Sequence, residues 1–173
     1  MSVDKKIRFL LGSNTKKGFV PLFDELRDPI YGKRLYNIKG GPGSGKSSLM
    51  KKIIKALEEK KHSIEYIHCS SDPGSLDAFI DYDSGIAMAD GTAPHIMDPK
   101  YPGAYDVIIN MADCWDDKAL TSHRKEIISL SDITSSYHQM ATVCITSAAA
   151  LLDNNMKMAR PYVRVDIVND FVK

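Results

Sequence analysis

Four residues between positions 40 and 48 have the types and the spacing needed to hold a polyphosphate. Gly40, Gly45, Lys46 and Ser47 satisfy the pattern G-x-x-x-x-G-K-[ST]. Glycines at 40, 41, 43 and 45 let the backbone take positive φ and approach a ligand, so that successive N–H groups converge on one anion. The lysine adds a positive charge, and the serine hydroxyl is a ligand for Mg²⁺. The pattern predicts a site for ATP, or another nucleoside triphosphate, with Mg²⁺. The predicted binding residues are Gly41, Pro42, Gly43, Ser44, Gly45, Lys46, Ser47 and Ser48.

The flanks of this segment favour phosphate binding over a plain glycine-rich connection. Residues 34–38 alternate as a short strand should, and apolar residues follow at i, i+3, i+4 and i+7 from Met50 to Leu57. A helix beginning after the turn directs its N-terminal partial positive charge toward the anion. Strand, turn and helix therefore occur in the order that a phosphate-binding loop requires.

A second apolar strand, residues 86–90, ends on Asp90. A carboxylate in that position orients the Mg²⁺ coordination shell opposite the hydroxyl of the loop, so we expect Ser47 and Asp90 to hold the metal. No glutamate follows Asp90, so the acidic pair that activates water in many ATPases is missing. Position 93 is alanine, so the loop does not read D-x-x-G as in many GTP-binding switches.

Two further residues are candidates for catalysis alongside Lys46 and Asp90. Asp72 follows a predicted strand at residues 64–69, and in open α/β sheets ligands bind at that edge. It could position water, metal or substrate, or it could belong to a turn in which Ser75 caps a helix. His95 could orient water or stabilise charge near a γ-phosphate, or it could simply pack beside Pro94.

Composition indicates a globular chain rather than a disordered one. Its 173 residues are 43% hydrophobic and 26% charged, and the formal net charge is +1, so no global attraction to nucleic acid or membrane is expected. No apolar run is long enough for a membrane helix, and we expect a cytoplasmic protein. The three cysteines show no C-x-x-C spacing, which indicates reduced, mostly buried thiols; they are Cys69, Cys114 and Cys144.

The order of elements predicts an α/β fold of the P-loop NTPase type, with three α/β/α layers and a mainly parallel sheet. We expect one domain over residues 1–173, with a nucleotide core at about 33–117 and a helical part at about 118–173. After Asp90 no further buried strand with a crossover helix is evident, so the sheet is expected to be small or the chain incomplete.

Outside the nucleotide core, the pattern predicts four further elements. Residues 7–11 are expected to form a short strand and residues 19–26 a short helix. One long helix is expected from 134 to about 157, because apolar residues keep helical spacing there without glycine or proline. Residues 163–168 alternate as in a strand or in a short final helix, and a helix is favoured because residues 166–171 lack turn signals.

Three motifs together resemble one repeat of an uncharacterised bacterial tandem P-loop ATPase family. The resemblance covers most of residues 7–117 and rests on residues 39–52, 68–72 and 90–95, with 98–99 and 102–104. Members of that family carry two such units in tandem, each with its own P-loop. The resemblance implies nucleotide binding, and it implies a partner that is either a second P-loop unit or another copy of the chain. It assigns no reaction.

Three functions follow from these residues. The first is a Mg²⁺-dependent NTPase whose hydrolysis drives a conformational change or a partner contact. The second is a small-molecule kinase with its acceptor near residues 70–72 and 91–98, and the third is a nucleotide-binding module without turnover. Residues 110–113 read N-x-x-D without the lysine that packs along guanine, which favours ATP over GTP.

Overall fold

The structure is a computed structural model that describes residues 7–172, and in this range the chain forms a six-stranded sheet, a hairpin and four α-helices. The sheet strands are β1 Ile7–Phe9, β4 Arg34–Lys39, β5 Ile64–His68, β6 Leu76–Asp81, β7 Ile86–Asp90 and β8 Asp106–Asn110. The hairpin strands are β2 Gly12–Thr15 and β3 Gly18–Pro21. The helices are α1 Lys46–Glu59, α2 Asp117–Ser122, α3 Arg124–Ala159 and α4 Val165–Val172. Short 3₁₀ segments occupy Phe23–Leu26, Met111–Cys114 and Arg160–Tyr162.

The sheet is mostly parallel, which confirms the predicted α/β class. Its strand order is β1-β5-β6-β7-β4-β8, and β6 alone runs antiparallel to its two neighbours. Strand β4 lies between β7 and β8, with Ile38 opposite Asp90 on one side and Ile109 on the other. Because β4 and β7 are parallel neighbours, the chain leaves both strands at the same edge of the sheet.

Alternate side chains of the strands fill two apolar clusters on the two faces of the sheet. On one face, Met50 and Ile54 of α1 pack against a cluster that includes Ile38 and Met88. On the other face, Ala87 and Ala89 pack with residues of the 3₁₀ segment and of two loops, namely Phe23, Leu26, Met97 and Tyr105. No helix of the described chain contributes to that second cluster. The expected α/β/α layering is therefore replaced on this face by loops with large apolar side chains.

Several expectations about the elements are corrected. The sheet is not small, because β6 and β8 complete it to six strands. Strand β6 is not obvious in the sequence because two of its residues, Asp77 and Asp81, are carboxylates, yet both are buried. Residues 19–26 form the end of β3 and a 3₁₀ segment rather than one short helix.

The long helix and the final helix are present where the sequence predicts them, and α3 extends the expected range in both directions. None of the residues of α3 is buried, although its apolar residues keep helical spacing. It contacts the hairpin through an ion pair between Lys16 and Asp153, and through a hydrogen bond from the Thr146 hydroxyl to the Lys16 carbonyl. Among the described residues, no helix combines the length and apolar character needed to cross a membrane.

The expectation that the cysteines are mostly buried is wrong. Cys114 and Cys144 are exposed, and Cys69 is partly buried. The two exposed thiols lie at the end of a 3₁₀ segment and on α3, outside both apolar clusters.

Candidate functional site

A pocket of about 790 Å³ lies at the edge where β4 and β7 end. Every predicted binding residue lines it, and so do the other residues proposed for catalysis, Asp72, Asp90 and His95. The other lining residues are Gly40, Cys69, Ser75, Leu76, Asp77, Thr92 and Ala93. The fold thus gathers residues that range from Gly40 to His95 in the chain.

The glycines of the loop meet different steric demands. Gly43 and Gly45 have φ of +74° and +88°, a region that side chains disfavour. Gly40 is needed for space instead, because a Cβ there would lie 2.7 Å from the Ser44 hydroxyl and 2.9 Å from the Met111 Cβ. Gly41 has ordinary φ, and its nearest neighbour would be Trp115 at 3.7 Å. Positive φ is therefore required at two of the four glycines only.

The N-terminus of α1 opens on this loop without a side-chain cap. Gly45 occupies the capping position, so no side chain accepts hydrogen bonds from the N–H groups of the first turn. The helix has 14 residues, and its aligned peptide dipoles give this end a partial positive charge. The Ser44 hydroxyl is also buried without a hydrogen-bond partner. These donors fit an anion with several oxygen atoms.

Lys46 is folded against the loop and faces Asp90. Its Nζ donates hydrogen bonds to the carbonyl oxygens of Gly40 at 2.8 Å and Gly41 at 2.9 Å. The same Nζ lies 3.5 Å from Oδ2 of Asp90. The parallel pairing of β4 and β7, with Ile38 opposite Asp90, is what brings this carboxylate to the loop.

The oxygens of Ser47 and Asp90 fit the expected Mg²⁺. Asp90 Oδ1 accepts hydrogen bonds from the backbone N–H and the hydroxyl of Thr92, which orients the carboxylate and leaves Oδ2 toward Lys46. The Ser47 hydroxyl accepts a hydrogen bond from the Leu76 N–H at 3.0 Å. Both residues line the same pocket, and carboxylate and hydroxyl oxygens are hard donors of the kind that Mg²⁺ prefers.

The loop after β7 is fixed by two β4 residues that the sequence analysis does not identify. Lys39 donates to the carbonyl oxygens of Gly91 at 2.7 Å and Met97 at 2.8 Å. The buried Asn37 amide also donates to Met97 O. An asparagine between Tyr36 and Ile38, in the middle of a strand beside the loop, is the signal that could have identified Asn37.

His95 lies in this loop and is oriented by aromatic rings and a carboxylate. Its ring packs against Phe19 and Phe23, with centroids 5.0 Å and 4.6 Å away. Its Nε2 lies 3.2 Å from Oδ2 of Asp77, and both side chains are buried. Asp77 is not among the predicted site residues. Its only signal in the sequence is that an acidic residue interrupts the apolar residues of β6.

Cys69 directly follows β5, and its thiol lies near the side chains of Asp77 and His95. Burial raises the pKa of the Cys69 thiol, and the nearby Asp77 carboxylate raises it further. Backbone N–H groups of Ser71 and Asp72 act in the opposite direction but do not cancel the increase. The thiol is therefore disfavoured as a free thiolate.

Asp72 lines the pocket and also closes a turn. Its Oδ1 accepts a hydrogen bond from the Gly74 N–H at 3.1 Å, and its carbonyl accepts one from the Ser75 N–H at 2.8 Å. These contacts are those expected of a turn. Ser75 precedes strand β6 and does not cap a helix, so that part of the turn interpretation is wrong.

Comparison with known proteins gives one partial match. The family model described as Nephrocystin 3, N-terminal, matches residues 21–79. This range is less than half of the chain. It includes β4, the glycine-rich loop, α1, β5 and the first part of β6, and it ends before Asp90 and His95. No curated protein matches the chain, and no solved structure matches it.

Proposed function

We propose that the chain binds ATP, or another nucleoside triphosphate, together with Mg²⁺, and hydrolyses it to drive a conformational change or a partner contact. The observation that carries this proposal is the position of Lys46, between the loop carbonyls and the Asp90 carboxylate, at the uncapped N-terminus of α1. Lys46 and Asp90 are far apart in the sequence but meet there, and their opposite charges suit a site for phosphate and Mg²⁺.

Each residue of the site would contribute a separate interaction. The first-turn N–H groups of α1 and the Lys46 ammonium would donate to the β- and γ-phosphate oxygens, with Lys46 giving up its bonds to the loop carbonyls. Ser47 and Asp90 would hold Mg²⁺, which when bound neutralises charge on the phosphate oxygens. Asp72 or His95 would position the attacking water. Because no glutamate follows Asp90, hydrolysis is expected to be slow.

The proposal includes an assignment to a protein family. The motifs at residues 39–52, 68–72 and 90–95 support membership of the tandem P-loop ATPase family, with a second P-loop unit or another copy as the partner. The P-loop NTPase fold itself is supported by the mostly parallel sheet and by the strand, loop and helix from β4 to α1. The near-zero net charge supports a protein that does not bind nucleic acid in general, and a cytoplasmic location remains part of the proposal.

The test is nucleotide-dependent thermal stabilisation of the wild type and of two lysine variants. A panel of nucleotides with and without Mg²⁺ is expected to raise the melting temperature of the wild type, because a ligand that binds only the folded state stabilises it. Lys46→Ala should abolish the shift, measured against the apo melting temperature of the variant itself, because the change also removes the counter-ion of Asp90. Lys52→Ala removes the same charge from an exposed position of the same helix and should keep the shift. An unaltered shift in Lys46→Ala would refute the proposal.

Phosphate release then separates hydrolysis from its alternatives. A small-molecule kinase is favoured by the extent of the pocket, which continues past the loop to Cys69, Ser75 and Thr92 and leaves a wall for an acceptor. A kinase should release little free phosphate until the correct metabolite is added. A binding module should show the thermal shift and no product with any metabolite.

A further inference from the structure

Cys69, Asp77 and His95 form a cluster on the wall of the pocket, and none of them belongs to the glycine-rich loop. One ligand atom from each side chain lies within 4.8 Å of the other two. The three residues come from the end of β5, from β6 and from the loop after β7. The antiparallel strand β6 is what places Asp77 beside the other two, because it pairs with β5 on one side and β7 on the other.

Two buried polar atoms in this cluster lack hydrogen-bond partners. Asp77 Oδ2 and His95 Nδ1 have none, and their residues are only 5% and 6% exposed. Asp77 Oδ2 lies near His95 Nε2, but the geometry does not form a hydrogen bond. A buried carboxylate without full compensation carries a large desolvation cost. A cation between these side chains would remove that cost.

The second such cluster in the described chain shows the contrast. His62, Asp81 and Asp83 also offer three ligand atoms within 4.8 Å. There, however, both oxygens of the buried Asp81 accept hydrogen bonds, from the His62 ring, the Ser84 hydroxyl and the Asp83 N–H. That carboxylate is satisfied by the protein itself and requires no ion.

We propose that Cys69, Asp77 and His95 bind one divalent transition-metal ion, with Zn²⁺ preferred over Mg²⁺. Thiolate and imidazole are ligands for Zn²⁺, whereas Mg²⁺ takes oxygen ligands almost alone. Tetrahedral Zn²⁺ sets such ligand atoms about 3.4 to 3.7 Å apart. His95 Nε2 and Asp77 Oδ2 are already 3.2 Å apart, and all three ligand atoms lie within 4.8 Å of one another, so small side-chain shifts suffice for binding. Three protein ligands leave the fourth position open to the pocket that all three residues line.

This assignment gives His95 the role of a ligand rather than of a residue that positions water directly. It does not depend on nucleotide binding, because no residue of the loop at 40–48 is among the ligands. The Phe19 and Phe23 rings that pack on His95 hold its imidazole in place, and a site preorganised in this way needs little rearrangement to bind a metal.

Cobalt is the probe that tests the proposal on the full-length, metal-free protein. Titration with Co²⁺, with excess Mg²⁺ and without nucleotide, should give a thiolate-to-cobalt charge-transfer band that saturates at one ion per chain and is lost when Zn²⁺ is added. Cys69→Ser should abolish the band. Asp77→Asn and His95→Gln should each weaken Co²⁺ binding by at least about tenfold, since even outer-shell changes have effects of that size.

Three matched variants serve as controls. The double change Cys114→Ser with Cys144→Ser removes both exposed thiols, and His62→Gln alters the self-satisfied cluster, so both should keep the band. Lys46→Ala should also keep it, which separates this site from the nucleotide site. Circular dichroism establishes that each variant is folded, and all three ligand substitutions are close in size to the native residue. Absence of the band in the wild type, or its persistence in Cys69→Ser, would overturn the proposal.

Discussion

Lys46 is a charged side chain with only 8% of its surface exposed, and its interactions explain how that charge is tolerated. Two loop carbonyls and the Asp90 carboxylate surround the ammonium in the absence of a ligand. Asp90 would then have two functions, as counter-ion for the lysine and as ligand for Mg²⁺. This pairing keeps both groups at the position where phosphate and metal would meet.

Asp90→Asn tests the metal function at this residue. The amide keeps the shape and can still accept the hydrogen bonds from Thr92, so nucleotide should still bind, but the Mg²⁺ dependence of the thermal shift should weaken because the negative charge is lost. Asp98→Asn is the matched control, since Asp98 is an exposed carboxylate in the same loop. A Mg²⁺ titration of Asp90→Asn that is identical to that of the wild type would reject the assignment.

The buried carboxylate of Asp81 should make the stability of the protein depend on pH. Burial raises the pKa of Asp81, but hydrogen bonds from Ser84 and His62, together with the His62 charge and the Asp83 N–H, outweigh it and lower the pKa below its ordinary value of 3.8. A lowered folded-state pKa stabilises the protein above the unfolded value and loses that effect as the pH falls through the folded value. Stability should therefore decline below about pH 4.

The measurement is urea unfolding of the wild type and Asp81→Asn at several pH values. The wild type should be more stable than the variant at neutral pH, because the ionised carboxylate receives charge-assisted bonds that the amide lacks. The difference should shrink in acid as Asp81 becomes protonated. A difference that is constant from neutral pH to the acid limit would contradict the assigned pKa direction.

At the scale of elements, strand β4 supports the site on two sides. Its carboxyl end leads into the glycine-rich loop, and its polar side chains Asn37 and Lys39 hold the loop that follows β7. Gly91 begins that second loop, and its N–H donates to the Ile38 carbonyl at 2.9 Å. The loop after β7 is therefore tied to the strand that leads into the glycine-rich loop.

Gly91→Ala tests this support. The added Cβ would lie 1.6 Å from Oδ1 of Asn37, which is fully buried and cannot withdraw. The clash should lower the free energy of unfolding by about 1–3 kcal/mol, the usual range for overpacking. Gly41→Ala is the control, because its Cβ meets only Trp115 at ordinary contact distance, and it should change stability by less than about 0.5 kcal/mol. Equal stabilities in urea for the two variants would contradict this interpretation.

At the scale of the whole molecule, core and site occupy one part of the chain and the long helix another. The residues of both apolar clusters lie between positions 9 and 111, and the pocket is lined by residues 40–95. Helix α3 has no buried residue and touches the hairpin through Lys16. The apolar side chains along α3 therefore add little to the core of this chain.

A chain that ends at Ser122 should keep the proposed nucleotide response. Because no residue beyond this point lines the pocket or belongs to either cluster, the thermal shift with Mg-ATP should match that of the full chain, while the helical circular dichroism signal falls. Lys16→Ala in the full chain is the companion variant, since it breaks the ion pair to α3 without removing the helix. A folded truncated chain without the shift would show that α3 takes part in binding.

The sequence by itself determined the elements whose signals are local. The glycine-rich loop, its strand and helix, the apolar strand ending on Asp90 and the two C-terminal helices all follow from periodicity and from residues a few positions apart. The family match at residues 21–79 also falls on the region with the strongest local pattern. The predicted phosphate and Mg²⁺ residues do line one pocket, because a parallel sheet places the ends of its strands at one edge.

Only the tertiary structure decided what depends on partners far apart in the chain. Strand β6 is difficult to predict from the sequence because carboxylates are unusual inside a buried strand, and only the fold places His62 beside Asp81 and His95 beside Asp77. For the same reason, the contacts of Asn37 with the loop after β7 and the grouping of Cys69, Asp77 and His95 have no local signal. The exposure of α3 also depends on the tertiary structure. Helical spacing of apolar residues predicts an apolar face of the helix, but it does not predict which part of the protein packs against that face.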